Sequence, residues 1–311
     1  QLCSIWADVL NIERVGIRDN FFDLGGHSIL ALRLVSKIES ETGINLPLID
    51  LFQGKTIEDI ASSKNDKTDL PDYLVGIRKT GSLNPFFAVG SHPRYNDAAN
   101  QVDKDRPFYK LDVYALQSRR LAQGKSPYKN IAALVDEFID SIQKIQPSGP
   151  YYLGGGCEGA LLAFALATEL QRRGEEVKTL ILWITPAPGY GNGAVFGRSA
   201  IYRVINHLRA LLGHAQIADL NLRTLSELLK HEYLEYRIFR AMDTYQTNAI
   251  FSGEIVLARC VENRKAWDTD LALGWGERAT SGARVHKLSG NHDTWLIDHT
   301  EAFGDFLNSC L

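Results

Sequence analysis

The sequence has little cysteine, a single methionine and no excess of positive charge. Four scattered cysteines among 311 residues are too few for a disulfide scaffold or a zinc site, so we expect a reducing, cytoplasmic setting and no metal. The 34 basic side chains do not outnumber the 37 acidic ones, which excludes the positive field that holds nucleic acid. No apolar run approaches the roughly 20 residues of a membrane span. The one methionine is Met242 and residue 1 is glutamine, which predicts a segment excised from a longer polypeptide.

Residues 1–65 have the pattern of a small, acidic, helical domain. They carry 6 basic and 9 acidic side chains, whereas the rest of the chain carries 28 of each. Apolar residues recur at helical spacing in the first ten positions and again from Leu30 to Ile38. Thr56 is placed to begin a further helix, with Asp59 reaching back to cap it. We expect a helical domain over 1–65 and, because the next residues are polar and aperiodic, a linker over 66–72.

Residues 73–311 alternate short apolar runs with helical stretches. Such alternation predicts a mainly parallel sheet with right-handed crossovers. The alternation stops over about 187–250, where a stretch rich in glycine and proline is followed by residues with helical periodicity. We expect this region to form a helical lid over the sheet edge. The expected strands are Pro85–Val89, Tyr151–Gly154, Thr179–Ile184, Glu254–Ala258 and Val285–Leu288.

The string that ends at Ser28 has a specific chemical meaning. Residues Asp19–Ser28 are DNFFDLGGHS, and a helical pattern follows. A serine in such a place is commonly a helix N-cap. The whole string, however, resembles the phosphopantetheine attachment motif of peptidyl carrier domains. That resemblance implies that a phosphopantetheinyl transferase esterifies Ser28 with 4′-phosphopantetheine, at a helix start that favours the charge of the phosphodiester.

Cys157 stands at the centre of a Gly-x-Cys-x-Gly sequence between an expected strand and an expected helix. Residues Gly155–Gly159 are GGCEG, the layout of a nucleophile elbow with cysteine in place of serine. A helix N-terminus lowers the pKa of a thiol and offers backbone N–H groups to an oxyanion. We expect the N–H of Glu158 to be one oxyanion donor and an amide near Gly90–His92 to be the second. The flanking elements disfavour the alternative, which is a buried structural cysteine in a glycine-rich turn.

A histidine suited to act with this thiol follows the last expected strand. His292, within Ser289–Asp293, resembles the catalytic histidine segment of α/β-hydrolase thioesterases, and its order after the nucleophile agrees. In such thioesterases an aspartate usually follows the strand after the elbow helix, but here Leu182–Pro186 contains no carboxylate. Either Glu262, after the next strand, orients His292, or Cys157 and His292 act as a dyad. A dyad is feasible because a thiol needs an orienting acid less than an alcohol does.

The order of the motifs resembles the terminal carrier–thioesterase didomain of a nonribosomal peptide synthetase. The resemblance covers nearly the whole chain and implies a small all-α, four-helix carrier domain followed by an α/β-hydrolase domain with a helical lid. The implied partners are a peptidyl thioester substrate and upstream synthetase domains of the parent chain. The implied chemistry is attack of the Cys157 thiolate on the thioester, followed by transfer of the acyl group to a second nucleophile with His292 as base.

The cysteine also bears on the product. A thioester acyl-enzyme favours amines over water more than an oxoester does, so Cys157 indicates release by cyclisation. Together with the missing aspartate it resembles the thioesterase that closes the β-lactam in monobactam (sulfazecin-type) synthetases. Hydrolysis to a linear acid, a degenerate non-catalytic partner domain and an engineered Ser→Cys exchange stay open. A terminal reductase is rejected, because Gly154–Gly156 stands late in the chain and beside the nucleophile.

Overall fold

The chain is described by a computed structural model over residues 1–44, 46, 48–52, 56–62, 70–91, 95–190, 222–260, 270–290 and 299–311. It divides into two compact units, Gln1–Asp69 with Arg198–Tyr236, and Leu70–Gly197 with Arg237–Leu311. Much of the expected linker and the middle of the expected lid lie outside the described residues, so the domain limits drawn from the sequence stay predictions. Within the described ranges no helix is long and apolar enough to cross a membrane.

The N-terminal part of the first unit is helical. The buried rings of Trp6 and Phe21 pack edge to face in its core, with their ring centroids 5.4 Å apart. Thr56 and Asp59 form the expected reciprocal cap at the start of the helix Ile57–Ser62. Asp59 Oδ2 accepts the Thr56 N–H at 2.9 Å, and Thr56 Oγ1 accepts the Asp59 N–H at 3.2 Å. The described helices here are α1 (Leu2–Leu10), α2 (Ser28–Thr42), α3 (Leu48–Phe52) and α4 (Ile57–Ser62).

A mostly parallel sheet organises the second unit. Its seven described strands lie in the order β1-β3-β2-β4-β5-β6-β7. Strand β1 pairs antiparallel with β3, and the other pairings are parallel. This is the α/β-hydrolase arrangement, in which the carboxyl ends of the parallel strands meet at one edge. The strands are β1 (Leu74–Arg78), β2 (Phe86–Val89), β3 (Phe108–Leu111), β4 (Tyr151–Gly156), β5 (Val177–Trp183), β6 (Ile255–Cys260) and β7 (Ala283–Leu288).

Helices flank this sheet, and α8 is the most deeply buried among those described. Its Ala- and Leu-rich sequence packs on the sheet, and the ring centroids of Phe164 and Trp275 lie 5.1 Å apart. Helix α9 lies in the region expected to form the lid, and its role as a lid stays a prediction. The helices that lie wholly in this unit are α5 (Tyr95–Gln101), α6 (Val113–Ala122), α7 (Ile131–Ile142), α8 (Glu158–Arg172) and α10 (Thr300–Cys310), with a 3-10 turn at Trp275–Arg278. The residues of α9 (Leu222–Asp243) are divided between the two units.

The sequence patterns did not indicate strands β1 and β3. In β3, Lys110 interrupts an otherwise apolar run, which obscures the strand. All four residues of β3 are nevertheless buried. Lys110 can be buried among apolar neighbours because its ammonium pairs with the carboxylate of Asp112 at 3.2 Å. A buried ion pair therefore completes a strand that periodicity alone misses.

Candidate active site

The backbone of Cys157 is strained at the carboxyl edge of the sheet. This half-buried residue directly follows β4 and precedes α8, with φ of 52° and ψ of −122°. A residue with a Cβ atom adopts such angles at a cost, so the surroundings must hold it there. The turn has the backbone geometry of a nucleophile elbow.

Three glycines make this turn possible. A Cβ atom on Gly155 would lie 2.3 Å from the Gly159 carbonyl oxygen, and one on Gly156 would lie 1.8 Å from Nε1 of Trp183. A Cβ atom on Gly159 would lie 1.9 Å from the Val89 carbonyl oxygen. The glycines flanking Cys157 are therefore required by close approach of backbone and ring atoms, which explains the spacing seen in the sequence.

The side chain of Glu158 ties the elbow to the loop after β2. Its Oε1 accepts the backbone N–H of Ser91 at 3.1 Å. Gly90 precedes this amide with φ of 134°, and a Cβ atom there would lie 2.9 Å from the Tyr95 hydroxyl. From the sequence, only the N–H of Glu158 was expected to serve the site. The carboxylate instead makes a tertiary contact, and the sequence hints at it only by placing an acidic residue directly after Cys157.

A buried ion pair holds Ser91 from its other side. The Ser91 hydroxyl donates to Asp112 Oδ1 at 2.9 Å, and Lys110 Nζ lies 3.2 Å from Asp112 Oδ2. The side chains of Lys110 and Asp112 are 6% and 0% exposed. Asp112 Oδ1 also accepts the Ala115 N–H at 2.9 Å, which caps α6. This loop is thus anchored to rigid elements on both sides, as a preorganised site requires.

Tyr95 holds the end of β2, next to the loop that contains Ser91. It is buried, and its hydroxyl donates to the Val89 carbonyl oxygen at 3.0 Å. Burial, and then the nearby carboxylate of Glu158 and the thiolate form of Cys157, raise the pKa of Tyr95 well above its usual value. Tyr95 therefore stays a neutral hydrogen-bond donor.

Thr185 occupies the position after β5 where the sequence lacks a carboxylate. It is 1% exposed, and its hydroxyl donates to the Cys157 carbonyl oxygen at 3.0 Å. Its own carbonyl oxygen accepts the indole N–H of Trp275 at 2.7 Å. The residue therefore links the elbow to the 3-10 turn.

The other residues singled out from the sequence fall largely outside the described ranges. His292 and Glu262 lie outside the described residues, as does His92 of the loop after β2. Ser28 is the first residue of α2, and its side chain is not among those described. In the described part of the chain no cluster of His, Cys, Asp and Glu could hold a metal ion.

Fold and site together define an α/β-hydrolase with a strained turn at Cys157 between β4 and α8, preceded by a helical unit. The family model of the thioesterase domain matches residues 86–311, and that of the phosphopantetheine attachment site matches residues 1–62. The chain belongs to the thioesterase family and has a phosphopantetheine-attachment domain in front of the thioesterase domain. The thioesterase domain is an acyl-transfer or hydrolytic enzyme, and the attachment domain carries covalently bound 4′-phosphopantetheine.

The chain spans only a small part of the length of the curated relatives it matches. The chain is 40% identical over 200 residues to chondramide synthase of Chondromyces crocatus, covering 61% of this chain and 5% of the relative. It is 35% identical over 307 residues to a mycosubtilin synthase polypeptide of Bacillus subtilis, covering 94% of this chain and 10% of the relative. The two domains are homologous to the terminal carrier–thioesterase pair of nonribosomal peptide synthetases.

A solved structure shares the fold. A four-domain nonribosomal peptide synthetase in its holo form, bound to AMP and glycine, matches 99% of this chain and 25% of its own length with a TM-score of 0.60. The sequence identity is 21%, so this likeness concerns the fold alone.

Proposed function

We propose that this chain releases a nonribosomal peptide from its carrier through an acyl-enzyme on Cys157. The observation that best supports this is the strained backbone of Cys157 between β4 and α8, which three glycines accommodate and two side chains brace. The proposal takes residues 1–65 as the carrier and 73–311 as the thioesterase, with upstream synthetase domains and a phosphopantetheinyl transferase as partners.

The surroundings of Ser28 fit the attachment of 4′-phosphopantetheine. Ser28 begins the 15-residue helix α2, whose first N–H groups favour a phosphodiester. The preceding loop is held close to the core, because a Cβ atom on Gly26 would lie 2.4 Å from the ring of Phe21. The group, when bound, supplies a thiol that holds the peptide as a thioester.

In the first step, the proton of the Cys157 thiol passes to a ring nitrogen of His292. The thiolate sulfur attacks the carbonyl carbon of the substrate thioester and forms a new carbon–sulfur bond. The bond to the leaving sulfur then breaks, and His292 returns its proton to the leaving thiolate. The peptide is now a thioester on Cys157, and the charges and protons balance.

The oxyanion formed in this step needs two N–H donors. The N–H of Glu158, at the start of α8, is the first. In the loop after β2, the N–H of Gly90 donates to the Leu111 carbonyl oxygen at 3.0 Å and that of Ser91 to the Glu158 carboxylate at 3.1 Å. Both amides are engaged, so we assign the second donor to His92, the remaining residue of the expected range.

Glu262 is proposed as the group that orients His292. Thr185 shows that the position after β5 supplies a hydroxyl bonded to the elbow. An orienting carboxylate must then come from another strand end, and Glu262 follows β6 within two residues. If Glu262→Gln keeps the rate of acylation, Cys157 and His292 act as a dyad.

Cyclisation is the proposed outcome of the second step. An N–H group of the peptide attacks the acyl carbon with His292 as base, the bond to Cys157 breaks, and the thiol is regenerated. The amine preference of a thioester and the absence of an aspartate after β5 support ring closure, with β-lactam formation as the narrower proposal. Hydrolysis differs only in that water is the nucleophile.

The test loads Ser28 of the full chain with a candidate peptidyl-phosphopantetheine and measures the product by mass. We expect a product lighter than the linear acid by one water, and rapid quenching of the wild-type reaction to show the acyl group on the peptide that contains Cys157. His292→Ala should slow this acylation. Cys157→Ala must abolish release, whereas Cys310→Ser, at a half-buried cysteine of α10, must not. Acylation of a different residue would overturn the role of Cys157, and linear acid alone would overturn cyclisation.

A further inference from the structure

We infer that Thr185 is a positioning residue for oxyanion stabilisation, because its hydroxyl fixes the peptide group whose other end is the N–H of Glu158. The inference rests on the proposed function, in which Cys157 is the nucleophile. It assigns to Thr185, two residues beyond the end of β5, a task different from orienting a histidine.

The geometry places the hydroxyl on one end of a rigid group. Thr185 Oγ1 donates to the Cys157 carbonyl oxygen at 3.0 Å. The carbonyl of Cys157 and the N–H of Glu158 belong to one peptide unit, which is planar, and its C=O and N–H point in opposite directions when the bond is trans. Holding the oxygen therefore sets the direction in which the N–H of Glu158 points.

Such a restraint matters at this peptide unit. The elbow holds Cys157 at φ 52° and ψ −122°, and a rotation of ψ turns the Cys157 carbonyl and the Glu158 N–H together. The same carbonyl oxygen also accepts the Ala160 N–H, but at 3.3 Å. The hydroxyl supplies the shorter of these two bonds. A hydrogen bond to the carbonyl also polarises the unit and strengthens the N–H as a donor.

Thr185 is itself held in place. The indole N–H of Trp275 donates to its carbonyl oxygen at 2.7 Å, and the residue is 1% exposed. Its hydroxyl lies 3.4 Å from the Trp183 carbonyl oxygen, a longer alternative to the bond with Cys157. The hydroxyl therefore reaches the elbow from a rigid, dry position, as electrostatic preorganisation requires.

This role predicts a selective defect. Acylation by an ester passes through an oxyanion, whereas alkylation of a thiol by iodoacetamide does not. Thr185→Val keeps the branched shape and removes the hydroxyl, so it should slow acylation about tenfold or more while alkylation stays within about twofold. A general disturbance of the elbow would slow both reactions.

The test uses the full chain with 4-nitrophenyl acetate for acylation and iodoacetamide for alkylation, and mass spectrometry locates each label. Thr168→Val is the matched control, because Thr168 also donates its hydroxyl to a backbone carbonyl, at 3.0 Å, but further along α8. Thr185→Ser should keep the acylation rate and Thr185→Ala should lose it. Comparing the serine and alanine variants tests the effect of the hydroxyl on acylation even if the valine variant does not fold.

The outcomes separate the two proposals. Unchanged acylation in both Thr185→Val and Thr185→Ala, or an equal loss of acylation and alkylation, overturns the role of Thr185 and leaves Cys157 as nucleophile. If the wild-type chain gains no acetyl group on Cys157, the proposed function fails, and the role of Thr185 fails with it.

Discussion

The carboxylate of Glu158 accepts the backbone N–H of Ser91 at 3.1 Å, so the residue after the proposed nucleophile is tied to the loop that follows β2. Glu158 thereby serves the site twice, through its N–H at the start of α8 and through its side chain. This bond joins the two segments that supply the proposed oxyanion donors.

Glu158→Ala should therefore separate these segments. We expect acylation of Cys157 to slow about tenfold, since a displacement near 1 Å can cost up to about a hundredfold. Glu158→Gln retains a carbonyl oxygen and should keep most of the rate. Stopped-flow measurement of the nitrophenolate burst checks this. Glu175→Ala is the control, because Glu175 also accepts a backbone N–H, that of Gly149 at 2.9 Å. Equal rates for Glu158→Ala and the wild type would contradict the link.

Lys110→Met should destabilise the second unit strongly. It leaves the carboxylate of Asp112 buried without its cation, and breaking a buried pair in this way costs about 3–5 kcal/mol. The comparison is Arg119→Met, which breaks an exposed ion pair. The side chains of Arg119 and Asp72 are 38% and 66% exposed, so this variant should lose at most about 1 kcal/mol of unfolding free energy. Urea unfolding of the full chain measures both. Similar losses for the two variants would show that burial does not decide the value of the pair.

Gly159→Ala should damage both stability and acylation. The added methyl group would lie 1.9 Å from the Val89 carbonyl oxygen, so β2 or α8 must move. We expect a loss of about 3 kcal/mol, at the upper end of the usual cost of overpacking. Gly276→Ala meets its nearest neighbour at 3.9 Å and should change stability by less than about 0.5 kcal/mol. Thermal unfolding tests the contrast, and a tolerated Gly159→Ala would refute the close approach.

Glu169 should make stability depend on pH in the acid range. A hydrogen bond from Arg172, reinforced by one from Arg173, lowers the pKa of Glu169 to about 2 from its ordinary 4.5. A lowered pKa stabilises the fold above pH 4.5, and this contribution is lost as the pH falls toward 2. Because the group is partly exposed, we expect about 1 kcal/mol.

The measurement is urea unfolding of Glu169→Gln and wild type at about pH 6 and about pH 3.5, where the difference between them should shrink. Glu175→Gln is the control, because the carboxylate of Glu175 accepts a backbone N–H rather than a hydrogen bond from an arginine pair. A difference that is constant between the two pH values would exclude the linkage.

Local patterns predicted the elements that carry short-range signals. The Gly-x-Cys-x-Gly string placed a turn between a strand and a helix, and the structure has β4, Cys157 and α8 in that order. The cap formed by Thr56 and Asp59 was likewise readable, since its partners are three residues apart. The positions of His292 and Glu262 stay predictions.

Other features depend on contacts that no local pattern reveals. Strand β3 was missed because Lys110 is polar, and its burial depends on an ion pair with Asp112. Nothing near Glu158 reveals that its carboxylate meets Ser91, 67 residues earlier. Thr185 could be read only as a missing aspartate, because its bond to the Cys157 carbonyl spans 28 residues.

The sequence by itself determined the family, the order of the two domains and the candidate thiol, because motif chemistry and local backbone requirements are written in consecutive residues. Only the tertiary structure decided what braces that thiol. The parallel strands bring the ends of β2, β4 and β5 to one edge, and there Ser91, Glu158 and Thr185 come within hydrogen-bonding distance of segments that the chain order keeps apart.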